Sequence, residues 1–216
     1  LGYDTVELGF VKLSRIEEGW LDEITYDTLK GFAYVSFHAP EFNYGKNDDT
    51  QSIFEKIERI NNIRNLDAVV FHPDLVEDFN VFKNVNFNVA FENMDNTKKS
   101  YRQPADFDEM FSENEKYKLA LDVNHIYTND GSMKLASIFY EKCGDRISQL
   151  HLSGHIDSHN PFFETEQINI LRAIQDFNVP MIIESVLPVE DLEKERNYIM
   201  QTISDLKKDG IKCGIK

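Results

Sequence analysis

The stretch Ala68-Val69-Val70-Phe71-His72-Pro73 decides the fold. Four successive apolar residues are too few for a buried helix, and they suit a parallel strand covered on both faces. The run stops at a histidine, and Pro73 marks a turn. The same design recurs along the chain. Thr5–Phe10 and Tyr34–Phe37 precede it, and Asn88–Phe91, Leu119–Leu121, Ile147–Leu150 and Met181–Ile183 follow.

Helical patterning fills the gaps. Gln51–Asn62 places Ile53, Phe54, Ile57 and Ile60 at helical spacing, and Met133–Cys143 does so with Leu135, Ile138 and Phe139. Gln167–Phe177 and Leu192–Lys207 are amphipathic as well, with Asp191 suited to cap the last helix and Gly210 just past its end. Asp106–Lys118 reads as an acidic surface helix. Strands alternating with helices mean a parallel α/β sheet, either an open doubly wound sheet or a closed TIM-type barrel. No G-x-G-x-x-G follows any strand, which weighs against a dinucleotide-binding open sheet. Neither linker nor fixed-period repeat interrupts the pattern, so one domain is expected over residues 1–216.

Composition narrows the function classes. No run approaches the ~18 apolar residues of a membrane helix, and no basic-then-apolar leader opens the chain. Cys143 and Cys213 have neither metal spacing nor a disulfide framework, which suits unpaired thiols in a reducing compartment. A cytoplasmic protein with no membrane partner is therefore expected. The formal net charge of −15 repels phosphate backbones and disfavours broad binding to DNA. Bound divalent cations or a local basic loop can reverse that sign where it matters.

The placement of histidines and acids is the main signal. His38, His72, Glu92, Asp122, His151 and Glu184 stand at or next to the ends of successive apolar runs, separated by 34, 20, 30, 29 and 33 residues. His125 follows Asp122 closely, and His155, Asp157 and His159 follow His151. A lone histidine after a strand is more often a surface or capping residue, and an Asp or Glu there is commonly a helix cap. In a parallel barrel, however, all C-terminal strand ends converge on one mouth, so six successive units would each deliver a metal ligand to it. Imidazole and carboxylate mixtures suit Zn²⁺, Mn²⁺ or Fe²⁺; a nitrogen-rich set favours Zn²⁺, whereas an acidic set with one histidine admits Mn²⁺, Co²⁺ or Mg²⁺.

The ordered motifs H-A-P, F-H-P, F-E-N, L-D-x-x-H, L-H-L, D-x-H and I-E-S resemble the xylose isomerase-like TIM-barrel superfamily, from about Thr5 to Ser185. That superfamily includes endonuclease IV together with sugar isomerases and epimerases. Resemblance to the endonuclease IV branch implies up to three Zn²⁺ ions. The first would take His38, His72 and Glu92. The second would share Glu92 and add Asp122, His151 and Glu184, and the third would take His125, Asp157 and His159. His155 has no counterpart there and reads as a loop or supporting residue. Resemblance to the isomerases and epimerases implies one divalent ion on Glu92, Asp122, His151 and Glu184 alone. The family barrel has eight strands, so a first strand is expected before Leu1 or the barrel is completed differently. Endonuclease IV also carries extended DNA-bending loops for which this chain lacks room.

Two reactions follow, in this order. The first is hydrolysis of a phosphoester, with Glu92 bridging two metals, a metal-activated water as nucleophile, and Lys98, Lys99 and Arg102 contacting phosphate. A solvated charge run explains those three cations equally well. The second is isomerisation or epimerisation of a sugar-like carbonyl compound, with Glu92 and Glu184 shuttling a proton. The substrate is thus phosphorylated or sugar-like. A metal-binding barrel without catalysis is the third reading, because fold alone does not establish chemistry.

Overall fold

A computed structural model describes residues 3–208. Gly210 and Cys213 lie outside the described residues. Among the described residues there are seven strands: β1 (Thr5–Gly9), β2 (Tyr34–His38), β3 (Ala68–Phe71), β4 (Val89–Glu92), β5 (Lys118–Asp122), β6 (Ile147–Leu152) and β7 (Met181–Ile183). The helices are α1 (Leu13–Glu17), α2 (Tyr26–Leu29), α3 (Asp48–Ile63), α4 (Asp108–Glu113) and α5 (Val123–Asn129). They continue with α6 (Lys134–Cys143), α7 (Phe162–Thr165), α8 (Ile168–Arg172) and α9 (Leu192–Lys208).

The strands form one sheet in the order β1 to β7. A doubly wound sheet reverses its order at a switch point, whereas an unbroken sequential order is that of a TIM-type barrel. The fold is therefore the α/β barrel class that the alternation of strands and helices predicts.

Strand alternation sorts the side chains. Successive residues of a strand face opposite sides, so Ser36 and His38 share one face of β2 while Val35 and Phe37 share the other. The rule groups Ala90 with Glu92, Ala120 with Asp122, and Gln149 with His151. Register carries the faces across neighbours: Glu7 pairs with Ser36, His38 with Val70, and Val70 with Ala90. In β2, β4, β5 and β6 one face thus carries a small or polar residue (Ser36, Ala90, Ala120 or Gln149) followed by a candidate ligand (His38, Glu92, Asp122 or His151), while the other carries mainly apolar residues.

The described chain divides into two compact units, one of residues 3–92 and 107–119, the other of residues 93–106 and 120–208. In the first, α3 lays Phe54 against an aromatic core. The Phe71 ring lies 4.8 Å from Phe82 and 5.0 Å from Tyr44, and Phe91 lies 5.3 Å from both Phe82 and Tyr117. In the second, α9 buries Ile199, Ile203 and Leu206, while α8 buries Ile170 and Leu171.

Several boundaries differ from the periodicity. Helix α3 starts at Asp48 because the Asn47 side chain accepts the Thr50 N–H at 2.8 Å and two aspartates follow in the first turn. The helix expected over Gln167–Phe177 shrinks to α8: past Arg172 the Ala173 and Ile174 N–H groups bond only three residues back, to Ile170 O and Leu171 O, and a turn in which Asp176 accepts the Asn178 N–H at 2.9 Å follows. Asp191 does not sit as a detached cap; it closes a 3₁₀ turn, Val189–Asp191, that runs directly into α9. The acidic segment Asp106–Lys118 is helical only over α4, with Met110 buried, and enters β5 at Lys118. Among the described residues, no helix is long and apolar enough to cross a membrane.

Candidate functional site

In the first unit, His38, His72 and Glu92 come together. Glu92 is 1 % exposed. Its Oε2 lies 3.3 Å from His38 Nε2 and 3.0 Å from His72 Nε2. The two imidazoles meet edge to face, centroids 5.0 Å apart. His38 Nδ1–H donates to the Ala39 carbonyl at 3.1 Å, which turns Nε2 toward the carboxylate. Behind His72, Glu41 Oε1 stands 3.5 Å from Nδ1. Deeper in the same unit, the Ser36 hydroxyl donates to Glu7 at 2.7 Å, so Glu7 is held within the fold by its neighbour strand.

These contacts set charge. Burial works against the imidazolium of His72, but Glu41 and Glu92 outweigh it and push its pKa up to about 10. Burial opposes protonation of His38 too, and the hydrogen bond and charge of Glu92 overcome it, so its pKa is raised.

In the second unit, Asp122, His125 and His159 offer ligand atoms that all lie within 4.8 Å of one another. Asp122 Oδ1 accepts the His125 N–H at 2.8 Å and so caps α5. His125 Nδ1–H donates to the Asn93 carbonyl at 2.7 Å, leaving Nε2 to face Asp122 Oδ2 at 3.8 Å. The Asn93 amide bridges to the end of β5, donating to Asp122 O at 3.0 Å and accepting from Asp122 N at 2.7 Å. His159 completes the group, its ring 5.5 Å from that of His125 and its Nδ1 3.0 Å from the Ser153 hydroxyl.

Two further predicted ligands pair beside it. His151, fully buried on β6, presents Nδ1 at 3.0 Å from Glu184 Oε1, while the Gln149 amide engages its Nε2 at 2.5 Å. Glu184 follows β7, but its N–H still donates to Leu152 O at 3.0 Å, so it remains in the ladder. Glu184 Oε2 reaches His159 Nδ1 at 3.8 Å.

Asp157 is exposed and lies outside the Asp122, His125 and His159 group. The loop that carries it is shaped by Asn160, whose Oδ1 accepts the N–H groups of Ile156, Asp157 and Ser158 at 2.8, 3.2 and 3.3 Å. Asn124 pins the same loop by donating to Gly154 O at 2.6 Å. His155 is a half-buried loop residue whose backbone is paired in both directions with the Gln167 side chain. Among the three cations after Glu92, Arg102 is engaged by Asn129, with Nε 2.5 Å from Oδ1, and Lys99 is exposed.

Sequence reasoning missed Asn93, Gln149, Asn124 and Asn160. The first two had a signal: each is an amide at or beside a strand end, adjacent to or two residues from a candidate ligand. Asn124 on α5 and Asn160 in the loop had none, because their partners are main-chain atoms, of distant Gly154 for the first and of its own loop for the second.

The donor sets are mixtures of imidazole nitrogen and carboxylate oxygen, buried and oriented by carbonyls and amides. That is the make-up of a site for a first-row divalent ion.

No protein-family model and no curated protein matches the sequence. Solved structures do match in fold. A D-tagatose 3-epimerase-like protein superposes with TM-score 0.67 at 14% identity, over 97% of this chain and 91% of its own. The 3-keto-D-glucoside 4-epimerase YcjR of E. coli gives TM-score 0.56 at 16% identity, over 96% and 90%. The probable 3-DHS dehydratase AsbF of Bacillus anthracis gives 0.51 at 14% identity, over 95% and 88%. An epimerase-like protein, an epimerase and a probable dehydratase overturn the first-ranked expectation, phosphoester hydrolysis, while the likeness itself shows the fold. Asp157, which the hydrolase reading needs beside His125 and His159, stands exposed outside their group. In fold, the chain is a TIM-type α/β barrel of the kind seen in these neighbours.

Proposed function

We propose that the protein is a divalent-metal-dependent isomerase or epimerase of a neutral sugar or related carbonyl compound, within the xylose isomerase-like superfamily. One observation carries this reading: the consecutive strands β4, β5, β6 and β7 each end on, nearly end on, or are followed by a ligand-capable residue, Glu92, Asp122, His151 and Glu184. These are the four positions that the superfamily resemblance assigns to a single ion. The net charge of −15 supports an uncharged substrate over a phosphorylated one.

Three carboxylates and one imidazole suit Mn²⁺, Co²⁺ or Zn²⁺, and such an ion supplies Lewis acidity toward a carbonyl and its neighbouring hydroxyl. The chain's own residues supply the proton chemistry. Epimerisation removes a proton from a carbon beside the carbonyl on one face and returns it on the other. Isomerisation moves that proton to the adjacent carbon. Either needs two carboxylates, and Glu92 and Glu184 are assigned to them. His151 fixes the pose of Glu184 at 3.0 Å. His159, whose side chain is 28% exposed, serves as a hydrogen-bond partner for substrate hydroxyls.

The test is incubation of the Mn²⁺- or Co²⁺-loaded protein in D₂O with a panel of ketoses, aldoses and keto-glycosides, followed by NMR. Deuterium at the carbon beside the carbonyl, with a new epimer or isomer, is the expected result. A metal-loaded protein that labels no member of the panel counts against the reading.

A further inference from the structure

Glu195 is a carboxylate with no part in the proposed chemistry, yet it is 0 % exposed. It lies on α9 in register with Ile199 and Ile203, so it occupies the stripe that the helix buries. A buried charge persists in a fold only where hydrogen bonds replace its water. Glu195 has three: Oε1 accepts the Phe162 N–H at 2.8 Å and the Ser185 hydroxyl at 2.6 Å, and Oε2 accepts the Phe163 N–H at 3.2 Å.

Those donors belong to two different segments. Ser185 directly follows Glu184, and Phe162 lies three residues after His159. A fourth hydrogen bond joins the segments to each other, since the Val186 N–H donates to His159 O at 2.8 Å. The result is a closed ring. It runs from His159 along the chain to Phe162, through the Glu195 carboxylate to Ser185, and through Val186 back to His159. His159 sits on this ring and Glu184 adjoins it through Ser185, with 3.8 Å between Glu184 Oε2 and His159 Nδ1.

We propose that Glu195 is a positioning residue: through Ser185 and Phe162 its carboxylate sets the mutual placement of Glu184 and His159, and with it the geometry of the metal and substrate site. This rests on the reading of Glu184 as a metal ligand. A plain cap on the start of α7 would explain the two N–H contacts, but it requires neither the Ser185 arm nor the closure through Val186.

The experiment titrates Co²⁺ into the full chain and records affinity and the visible absorption of the bound ion. Glu195→Gln puts an NH₂ where an acceptor is needed. It is expected to weaken Co²⁺ binding about 10-fold or more, as loss of a group supporting a metal ligand typically does, and to change the absorption bands. Ser185→Ala removes only the arm toward Glu184 and leaves the α7 contacts in place. It is expected to shift affinity and bands in the same direction, with far-UV circular dichroism unchanged. It therefore decides the matter even if Glu195→Gln does not fold. Wild-type affinity and spectrum in Ser185→Ala would overturn the inference. A wild-type protein that binds no Co²⁺ would instead overturn the functional reading, and this inference with it.

Discussion

Nδ1 of His151 lies 3.0 Å from Oε1 of Glu184, so the buried imidazole of β6 is in contact with the carboxylate that follows β7. The pair combines a proposed ligand with a proposed base. Glu184→Gln keeps the shape and removes the charge. It is expected to lower turnover by about 100-fold or more, the usual contribution of a general base. It should also raise the metal concentration needed for half-occupancy, read by titration with Co²⁺ or Mn²⁺. Unchanged turnover in this variant would remove Glu184 from the mechanism.

The raised pKa of His72 makes the metal-free protein sensitive to base. Its folded-state value is about 10 against the ordinary 6.5. Below pH 6.5 both states hold the proton and the stabilisation is fully present. Between 6.5 and about 10 only the folded state holds it, so stability falls as pH rises and the contribution is gone above 10. Thermal melts of chelator-treated protein are therefore expected to decline across that window. His72→Asn is expected to decline less steeply, by up to about one proton's worth of slope.

Asn93 is expected to matter for folding ahead of chemistry. Replacing it with alanine strips partners from both Asp122 N and Asp122 O. Losing a buried hydrogen bond of this kind costs roughly 1–3 kcal/mol. Urea denaturation of Asn93→Ala, which removes two, is expected to show a loss of about 2–6 kcal/mol in total. A loss below ~1 kcal/mol would mean that water replaces the amide at little cost.

Gly154 and Thr165 form a steric couple. A Cβ at Gly154 would collide with Thr165 Oγ1 and lie 3.0 Å from its Cγ2. Gly154→Ala is expected to cost about 1–3 kcal/mol through overpacking. Thr165→Ala removes both opposing atoms, and the double variant is expected to recover most of the loss. Additive losses in that cycle would show that the clash is relieved elsewhere.

Much of this architecture was legible in the residues because strand and ligand share one period. A run such as Ala68–Phe71 announces a buried strand, and the polar residue closing it, His72, stands out against the apolar background. Repeating that reading gave the strands, and the family resemblance named His38, His72 and Glu92 as one group and His125, Asp157 and His159 as another; in the structure the first three meet, while His125 and His159 gather with Asp122. Asp157 did not join, because the D-x-H spacing says nothing about which way an exposed loop turns its carboxylate. The amide supports were harder to see, since an asparagine bonded to a distant main-chain atom leaves no periodic trace. Glu195 had a trace, a charge on the buried stripe of α9, but it was masked by the amphipathic reading of the whole helix. The reaction class was the least legible element, because Glu92, Asp122, His151 and Glu184 are shared by the hydrolase and the isomerase patterns.

The sequential strand order carries a consequence for biosynthesis. Thr5 pairs with Tyr34, and Ser36 with Ala68, so each strand finds its partner in the stretch of chain made just before it. A nascent polypeptide leaving the ribosome can lay down such a sheet one strand at a time, without waiting for distant segments. On that schedule His38 and His72 emerge early and Glu184 emerges last of the candidate ligands, and a chain cut short there would also lack α9, whose Ile199, Ile203 and Leu206 are buried in the second unit.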